Sequence, residues 1–119
     1  MSNDSILKAK SMAFAKRIVR LYQYISQEKR EFVMSRQVLR SGTSIGANIA
    51  EAIYGSTRKD FVAKLYIAEK ESAETLYWLE LLNSCEYIPE KLYISLQKDC
   101  RELLAMLAAS IKSSSEDMR

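Results

Sequence analysis

The sequence predicts an all-α protein, an antiparallel up-down-up-down four-helix bundle with left-handed crossings. The 119 residues include only three glycines and one proline, too few for the frequent turns of a β-sandwich or barrel. Apolar residues recur at steps of three, four and seven, which is the spacing of one helix face. The segments with this pattern are long and joined by short links, so neighbouring helices should be antiparallel and cross near 20°. We expect a single domain over residues 1–119, since domains commonly have about 100–150 residues.

The first two helices are predicted over about residues 5–26 and 28–54. Asp4 or Ser5 precedes the first helix and can accept hydrogen bonds from the free amides of its first turn. Gly55 should end the second helix, because glycine tolerates the left-handed conformation common just past a helix. The predicted core-facing residues are Leu7, Phe14, Ile18, Leu21 and Ile25 in the first helix, and Phe32, Leu39, Gly42, Ile45, Gly46, Ile49 and Ile53 in the second.

The other two helices are predicted over about residues 58–84 and 89–112. Thr57 and Asp60 have the spacing of a capping box, with Asp in place of the usual Glu or Gln. Pro89 stands where the first residue of the fourth helix needs no amide donor. We expect the polar tail 113–119 to fray. The predicted core-facing residues are Phe61, Leu65, Ala68, Ser72, Leu76, Leu79 and Leu82 in the third helix, and Leu92, Leu96, Leu103, Met106 or Leu107, and Ile111 in the fourth.

The absence of histidine excludes several kinds of catalytic and metal site, and the two cysteines indicate the redox compartment. Without histidine the chain has no Ser-His-Asp or Cys-His catalysis and no usual histidine zinc site. Cys85 and Cys100 are predicted roughly 15 Å apart along the bundle axis, beyond the ~7 Å limit for bridged Cα atoms. The N-terminus lacks an apolar signal segment, and the longest uncharged stretches are about half the ~20 residues of a membrane span. We therefore expect a cytoplasmic protein with reduced thiols and no membrane partner.

Several residues of the second and third helices are candidates for close packing or for a polar network. Gly42 and Gly46 lie one turn apart and permit close approach of another helix, within the bundle or between subunits. Tyr77 and Trp78 point about 100° apart, so at least one of them should lie near the outer surface and favour an interface. The predicted polar network or interface consists of Arg40, Ser44, Asn48, Glu51, Glu71, Glu74 and Trp78.

The carboxylates of this network invite comparison with di-iron bundles and with glycosidases. Di-iron bundles use Glu-x-x-His pairs, which this chain cannot provide. Two carboxylates also serve glycoside hydrolysis, but a slim bundle offers no groove for a sugar chain. We expect no enzyme activity, no catalytic residue, no metal, no cofactor and no small-molecule substrate.

Charge is distributed unevenly along the chain. Residues 1–60 carry eleven basic and five acidic groups, or +6, whereas residues 61–119 carry seven and ten, or −3. A basic face binds phosphates with strong salt dependence, and its repetition around an oligomer strengthens binding through avidity. The alternative is a solvated face that pairs with acids of a neighbouring helix or subunit. The candidate nucleic-acid-binding residues are Lys16, Arg17, Arg20, Arg36 and Arg40.

The run QVLRSGTSIGANIAEA, residues 37–52, resembles the signature of the four helix bundle protein family. This family is also described as the 23S rRNA intervening-sequence proteins and as ribosomal-protein-like. Residues 60–79 match its third helix in spacing, and the resemblance covers about residues 10–110. One difference is the segment AIYG, residues 52–55, where many relatives place a glycine directly after the Asn-Ile-Ala-Glu run.

The resemblance implies an antiparallel bundle that assembles into a ring, typically a homopentamer. Some members are encoded inside intervening sequences of bacterial 23S rRNA genes. A similar bundle is the accessory variability protein of diversity-generating retroelements, which partners a reverse transcriptase and nucleic acid. The family has no established catalytic residues to transfer. We expect a non-enzymatic homo-oligomer that binds RNA or an RNA-handling protein, such as a reverse transcriptase, through its basic surface. The alternative is a scaffold that binds only proteins.

Overall fold

The computed structural model describes residues 3–117 and contains four α-helices in that range: α1 (Asn3–Glu28), α2 (Met34–Ile53), α3 (Arg58–Ser84) and α4 (Glu90–Asp117). No strand occurs in this part of the chain, which confirms the predicted all-α class. Consecutive helices pack together and α1 also packs against α4, so the four helices enclose one elongated bundle of 49 × 23 × 21 Å. None of the helices described is long and apolar enough to cross a membrane.

Along each pair of adjacent helices, later residues of one helix contact earlier residues of the other. In α2, Gly42 packs against Ile18 of α1, and the later Gly46 packs against the earlier Ser11. The other helix pairs show the same order, through Arg40–Glu71 and Glu51–Lys64 (α2 and α3), Cys100–Ser72 and Arg58–Ser114 (α3 and α4), and Arg17–Asp99 and Lys10–Glu102 (α1 and α4). These contacts are consistent with the predicted up-down arrangement, and its handedness stays a prediction.

The core consists of apolar side chains contributed by all four helices. The predicted stripe of α1 is buried along its whole length, with each member at most 3% exposed. The core also includes hydroxyl groups, because Thr75 Oγ1 lies 2.9 Å from Ser41 Oγ and 2.7 Å from the carbonyl oxygen of Glu71. Cys100 is buried beside them, with its Sγ 3.4 Å from the carbonyl oxygen of Ser72. Burial raises the pKa of the Cys100 thiol to about 12.

The start of α2 differs from the prediction. The helix begins at Met34, not near residue 28, and residues 29–33 form a link. Arg30 adopts a positive φ of 56°, which a right-handed helix does not accommodate. The Glu31 carboxylate then accepts hydrogen bonds from the backbone N–H groups of Val33, Met34 and Ser35 at 2.9–3.0 Å, capping α2. Phe32, predicted to face the core, lies in the link and is 43% exposed.

The end of α2 lies close to the predicted position, but the reason given for it was wrong. The helix ends at Ile53, with Tyr54 as its C-cap, and Gly55 has no positive φ. A Cβ atom at Gly55 would instead lie 3.1 Å from the carbonyl oxygen of Ala52, so the glycine serves a close backbone approach. The positive φ in the link between α3 and α4 occurs at Glu86, at 63°.

Among the other helix ends, one agrees with its prediction and the others differ. Thr57 caps α3 as predicted, and its Oγ1 accepts from the N–H of Asp60 at 3.0 Å. The first helix already includes Asn3, so Asp4 and Ser5 lie inside its first turn and do not precede it. The fourth helix begins one residue after Pro89, which was predicted as its first residue, and continues to Asp117, so residues 113–117 of the predicted tail are helical. Ser114 is buried at 6% exposure, which anchors this last turn; residues 118 and 119 lie outside the described range.

Candidate functional surface

Arg17 is held by the neighbouring helix α4. Its Nη1 donates to Asp99 Oδ2 at 2.6 Å and its Nη2 donates to Ser95 Oγ at 2.9 Å. A second ion pair, between Lys10 and Glu102, joins the same two helices. The charge of Arg17 is therefore compensated within the bundle.

Three of the five predicted basic residues are exposed and have no ion pair within residues 3–117: Lys16, Arg20 and Arg36. Lys16 and Arg20 lie one turn apart on the side of α1 that faces away from Ile18 and the core. Since Gly42 packs against Ile18, Arg20 is level with about residue 40 of α2, and Arg36 follows roughly one turn further along. These three residues form what we call the basic surface.

Arg40 belongs to a network with α3. Its Nη1 donates to Glu71 Oε2 at 3.1 Å and its Nη2 pairs with Glu74. The Nε1–H of Trp78 donates to Glu74 Oε2 at 3.0 Å. The hydrogen bond from Trp78 lowers the pKa of Glu74 and burial raises it, while the hydrogen bond and the charge of Arg40 lower it further, so that it lies below its usual range. Four of the seven residues predicted for the polar network thus come together.

The other three predicted residues lie outside that network. Ser44 Oγ donates to the carbonyl oxygen of Arg40 at 2.6 Å, and Asn48 Nδ2 donates to that of Ser44 at 2.8 Å, both within α2. Glu51 forms a separate ion pair with Lys64 at 2.9 Å. No group of three or more acidic or cysteine side chains in residues 3–117 is arranged to hold a metal ion. The carboxylates therefore connect α2 to α3 at the surface.

The two helical glycines serve the packing of α1 against α2 inside the bundle. A Cβ atom at Gly42 would lie 2.8 Å from two side-chain carbons of Ile18, which is shorter than van der Waals contact. At Gly46 the nearest atom would be Ser11 Oγ, at 3.4 Å. Gly42 is therefore needed for the close approach, whereas Gly46 tolerates a methyl group.

Exposed apolar side chains on α3 form a feature that the sequence indicated only in part. Tyr77 is 58% exposed whereas Trp78 is half-buried, which confirms that at least one of them lies near the outer surface. Their rings form an edge-to-face pair with centroids 5.1 Å apart. Tyr66 and Ile67, three turns earlier, are 47% and 42% exposed. The available signal was the pair Tyr66 and Tyr77, eleven residues apart and therefore on nearly the same side of the helix.

Glu31 is a structural carboxylate that the sequence reasoning missed. Burial raises its pKa, but the hydrogen bonds from the backbone N–H groups of Met34, Ser35 and Val33 outweigh that effect and lower it below its usual range. The helix-capping role depends on the left-handed Arg30 before it, and no local pattern predicts that conformation.

These features define a helical bundle with an exposed basic surface, three large exposed side chains on α3, and ion pairs that connect its helices. The sequence model for the 23S rRNA-intervening sequence proteins matches residues 3–109, and the chain belongs to this family, as its resemblance indicated. The chain is also similar to a crystal structure of a protein with unknown function from the S23 ribosomal protein family of Bacteroides thetaiotaomicron VPI-5482. The two are 52% identical with a TM-score of 0.92, over 93% of this chain and 99% of the other. No curated protein matches the chain.

Proposed function

We propose that this protein is a cytoplasmic, non-enzymatic homo-oligomer that binds RNA through its basic surface. The observation that carries the proposal is that Lys16, Arg20 and Arg36 are exposed on two packed helices and form no ion pair within residues 3–117. Membership in a family named after 23S rRNA intervening sequences favours RNA as the nucleic acid. The partner is structured RNA itself or a complex of RNA with an RNA-handling protein, such as a reverse transcriptase.

The net charges of the helices favour the side formed by α1 and α2 as the phosphate-binding side. Helix α1 carries five basic and two acidic residues, and α2 carries two and one, so the pair has a charge of +4. Helices α3 and α4 each carry four basic and five acidic residues, a combined −2. Lysine and arginine neutralise phosphates and release bound counterions, which makes binding salt-dependent. Arg17 and Arg40, being paired with carboxylates, are secondary contributors.

Oligomerisation is the second part of the proposal. One chain offers only three unpaired basic residues on this surface, and a ring would present the surface several times to one RNA and so raise the avidity. The family resemblance implies a homopentamer. Light scattering should then give five times the 13.6 kDa of one chain, and a mass of one chain would contradict this part.

The RNA part is tested by salt-titrated binding of a structured RNA. We expect the variant Lys16→Glu/Arg20→Glu/Arg36→Glu to bind at least 10-fold more weakly, with a salt slope shallower by about 2–3, since each phosphate contact contributes about 0.7–0.9. The control is Lys91→Glu/Lys98→Glu/Arg101→Glu, three exposed basic residues of α4, which changes the net charge by the same amount.

A smaller loss in this control than in the first variant would support the basic surface. Equal losses would show that only net charge matters. Weak, salt-insensitive binding by the wild type would contradict RNA binding altogether.

A protein-binding scaffold without RNA affinity is the second candidate. The exposed Tyr66, Ile67 and Tyr77 and the half-buried Trp78 favour it, because aromatic side chains are enriched in protein interfaces. In that case Trp78→Ala or Tyr77→Ala would weaken the affinity for the protein partner, and charge reversal on α1 would leave that affinity unchanged.

A further inference from the structure

Basic and apolar side chains are interleaved on the outward side of α1. Four exposed residues follow one another there at steps of four, each step slightly more than one helical turn: Lys8, Met12, Lys16 and Arg20. Met12 is 56% exposed and lies between two lysines. The ion pairs within residues 3–117 involve other side chains, so the three cations of this row are available to an external anion.

A shallow apolar groove lies beside this row, between α1 and α2. Its volume is about 280 Å³, several times the ~30 Å³ that one water molecule occupies in the liquid. The apolar side chains that line it are Met12, Ala15, Ala47 and Ala50. Ser11 Oγ donates to the carbonyl oxygen of Lys8 at 3.0 Å. Thr43 Oγ1 donates to that of Leu39 at 2.7 Å, so the hydroxyl groups of the lining already have acceptors in their own helices. The groove therefore offers mainly apolar contact.

Tyr54 lies at the Lys8 end of the groove. It is the C-cap of α2 and is 79% exposed. Lys8 Nζ lies 5.7 Å from the centre of its ring, on one face, and the exposure of the side chain leaves the other face open. Exposed aromatic rings beside cations are the surfaces on which bases stack in proteins that bind single-stranded nucleic acid. Tyr54 and Met12 both neighbour Lys8, so two apolar surfaces lie next to one cation.

Helices α1 and α2 contribute almost no acidic side chains to this side of the bundle. Residues 5–27 and 32–50 contain neither Asp nor Glu. Asp4 lines the cleft where α2 passes to α3, and Glu51 forms an ion pair with Lys64 of α3. The surface is therefore complementary in charge to an anion that also has apolar parts.

These features indicate which part of an RNA binds here. In an A-form duplex the base faces are stacked inside, and the outside presents phosphates, 2′-hydroxyls and polar base edges, none of which would cover Met12 or Tyr54 with apolar surface. Unpaired nucleotides present a base and a phosphate at each step. We propose that the protein binds unpaired nucleotides of an RNA, in a loop, a bulge or a single-stranded end. One base stacks on Tyr54 and the next enters the groove beside Met12, while the neighbouring lysines bind the phosphates.

The interleaving favours a nucleotide strand over an amphipathic helix of a protein. Such a helix docks along a continuous apolar stripe, whereas on α1 a lysine stands on each side of Met12. The few hydrogen bonds that the groove offers to base edges imply a preference for unpaired nucleotides and little preference for sequence, as is usual for stacking. The inference deepens, and rests on, the RNA part of the proposed function.

The test compares one RNA strand in its single and paired states. An unstructured strand of about twelve nucleotides, within the usual range of site sizes, is titrated with the protein alone and after annealing to its complement, at one salt concentration. Electrostatics alone would favour the duplex, whose phosphates are more densely spaced. We expect the single strand to bind about 5-fold or more tightly, because only its bases can stack on the protein.

Two variants that keep the net charge locate the contact. Tyr54→Ala removes the exposed ring, and Ala47→Leu fills the groove at an exposed position. Each should weaken binding of the single strand by about 5-fold or more and leave binding of the duplex unchanged. The control is Tyr77→Ala, which removes an exposed ring of α3 and should bind both RNAs like the wild type. Circular dichroism checks the helical content, and if one variant does not fold, the result for the other decides.

Three results would overturn the inference. A wild type that binds the duplex as tightly as the single strand would show that no base is contacted, and the proposed function would stand if charge reversal of the basic surface still weakens binding. A single-strand preference that persists in both Tyr54→Ala and Ala47→Leu would place the bases elsewhere and leave the groove to a protein segment. Absence of any RNA binding by the wild type would refute the RNA part of the proposed function and this inference with it.

Discussion

Replacing Gly42 with alanine should destabilise the bundle, although alanine is the better helix former. The added Cβ would lie 2.8 Å from both Cγ1 and Cγ2 of Ile18, and 3.2 Å from its Cβ. Ile18 is fully buried and β-branched, so rotation about χ1 is restricted and moves one carbon away only by bringing another one near. The helices α1 and α2 must therefore separate by several tenths of an ångström.

The expected magnitude follows from two opposing effects. Adding a methyl group to a filled core costs about 1–3 kcal/mol, and the two contacts at 2.8 Å place Gly42→Ala in the upper part of that range. Replacing a glycine by alanine in a helix interior stabilises the helix by about 1 kcal/mol. We expect the free energy of unfolding to fall by about 1–2 kcal/mol, which lowers Tm by roughly 4–8 °C for a chain of this size.

The matched control is Gly46→Ala, one turn further along the same helix. Its Cβ would meet Ser11 Oγ at 3.4 Å, an ordinary contact, so the gain in helix propensity should raise the free energy of unfolding by up to about 1 kcal/mol. Thermal and urea unfolding at one protomer concentration measure both effects, because the stability of an oligomer depends on concentration. A Gly42→Ala variant as stable as Gly46→Ala would refute the packing argument.

The other predictions concern two carboxylates and two thiols. Glu31→Gln should lower the free energy of unfolding by about 0.5–2 kcal/mol at pH 7 through loss of the helix cap, measured by urea unfolding. Because the folded-state pKa of Glu31 lies below its ordinary value of 4.5, this stabilisation should be complete above that pH and disappear as the pH falls through the lower value. The single tryptophan reports on Glu74: protonation of that carboxylate weakens its hydrogen bond to Trp78, so the fluorescence should change with a midpoint below pH 4.5. A thiol reagent should modify the exposed Cys85 rapidly, while Cys100, buried and with a raised pKa, should react only on unfolding.

Each of these has a clear contrary result. Equal pH dependence of stability in the wild type and in Glu31→Gln would show that the cap does not operate in solution. A fluorescence midpoint at or above pH 4.5 would contradict the lowered pKa of Glu74. Two thiols modified at the same rate in folded protein would contradict the burial of Cys100.

The positions of the helices and most of their core faces follow from the sequence because both depend on local periodicity. A step of three or four residues returns to the same side of a helix wherever that helix packs, so residues such as Phe14 and Leu79 were assigned correctly. Helix ends were less predictable. The start of α2 depends on Arg30 in a left-handed conformation and on Glu31 reaching three amides, and neither leaves a regular pattern.

The candidate surface depended on which helix faces meet. From the sequence, Arg17 was equal to Lys16, Arg20 and Arg36 as a phosphate-binding candidate, whereas Arg40 was predicted both as such a candidate and as a member of a polar network with Glu71 and Glu74. The tertiary structure brings Asp99 to Arg17 and Glu71 and Glu74 to Arg40, across separations of 31 to 82 residues. Charged side chains do not recur with the helical period, so the ion pair that each of them forms depends on how the helices pack.

The sequence alone determined an all-α chain, four long amphipathic segments, a basic first half and the family resemblance. The tertiary structure decided which charges stay exposed, that Gly42 and not Gly46 sets the approach of α1 to α2, and that Tyr66, Ile67 and Tyr77 of α3 stay exposed. The physical reason is that secondary structure and burial patterns arise from residues close in sequence. Ion pairs, steric contacts and exposed faces arise from residues that only the fold brings together.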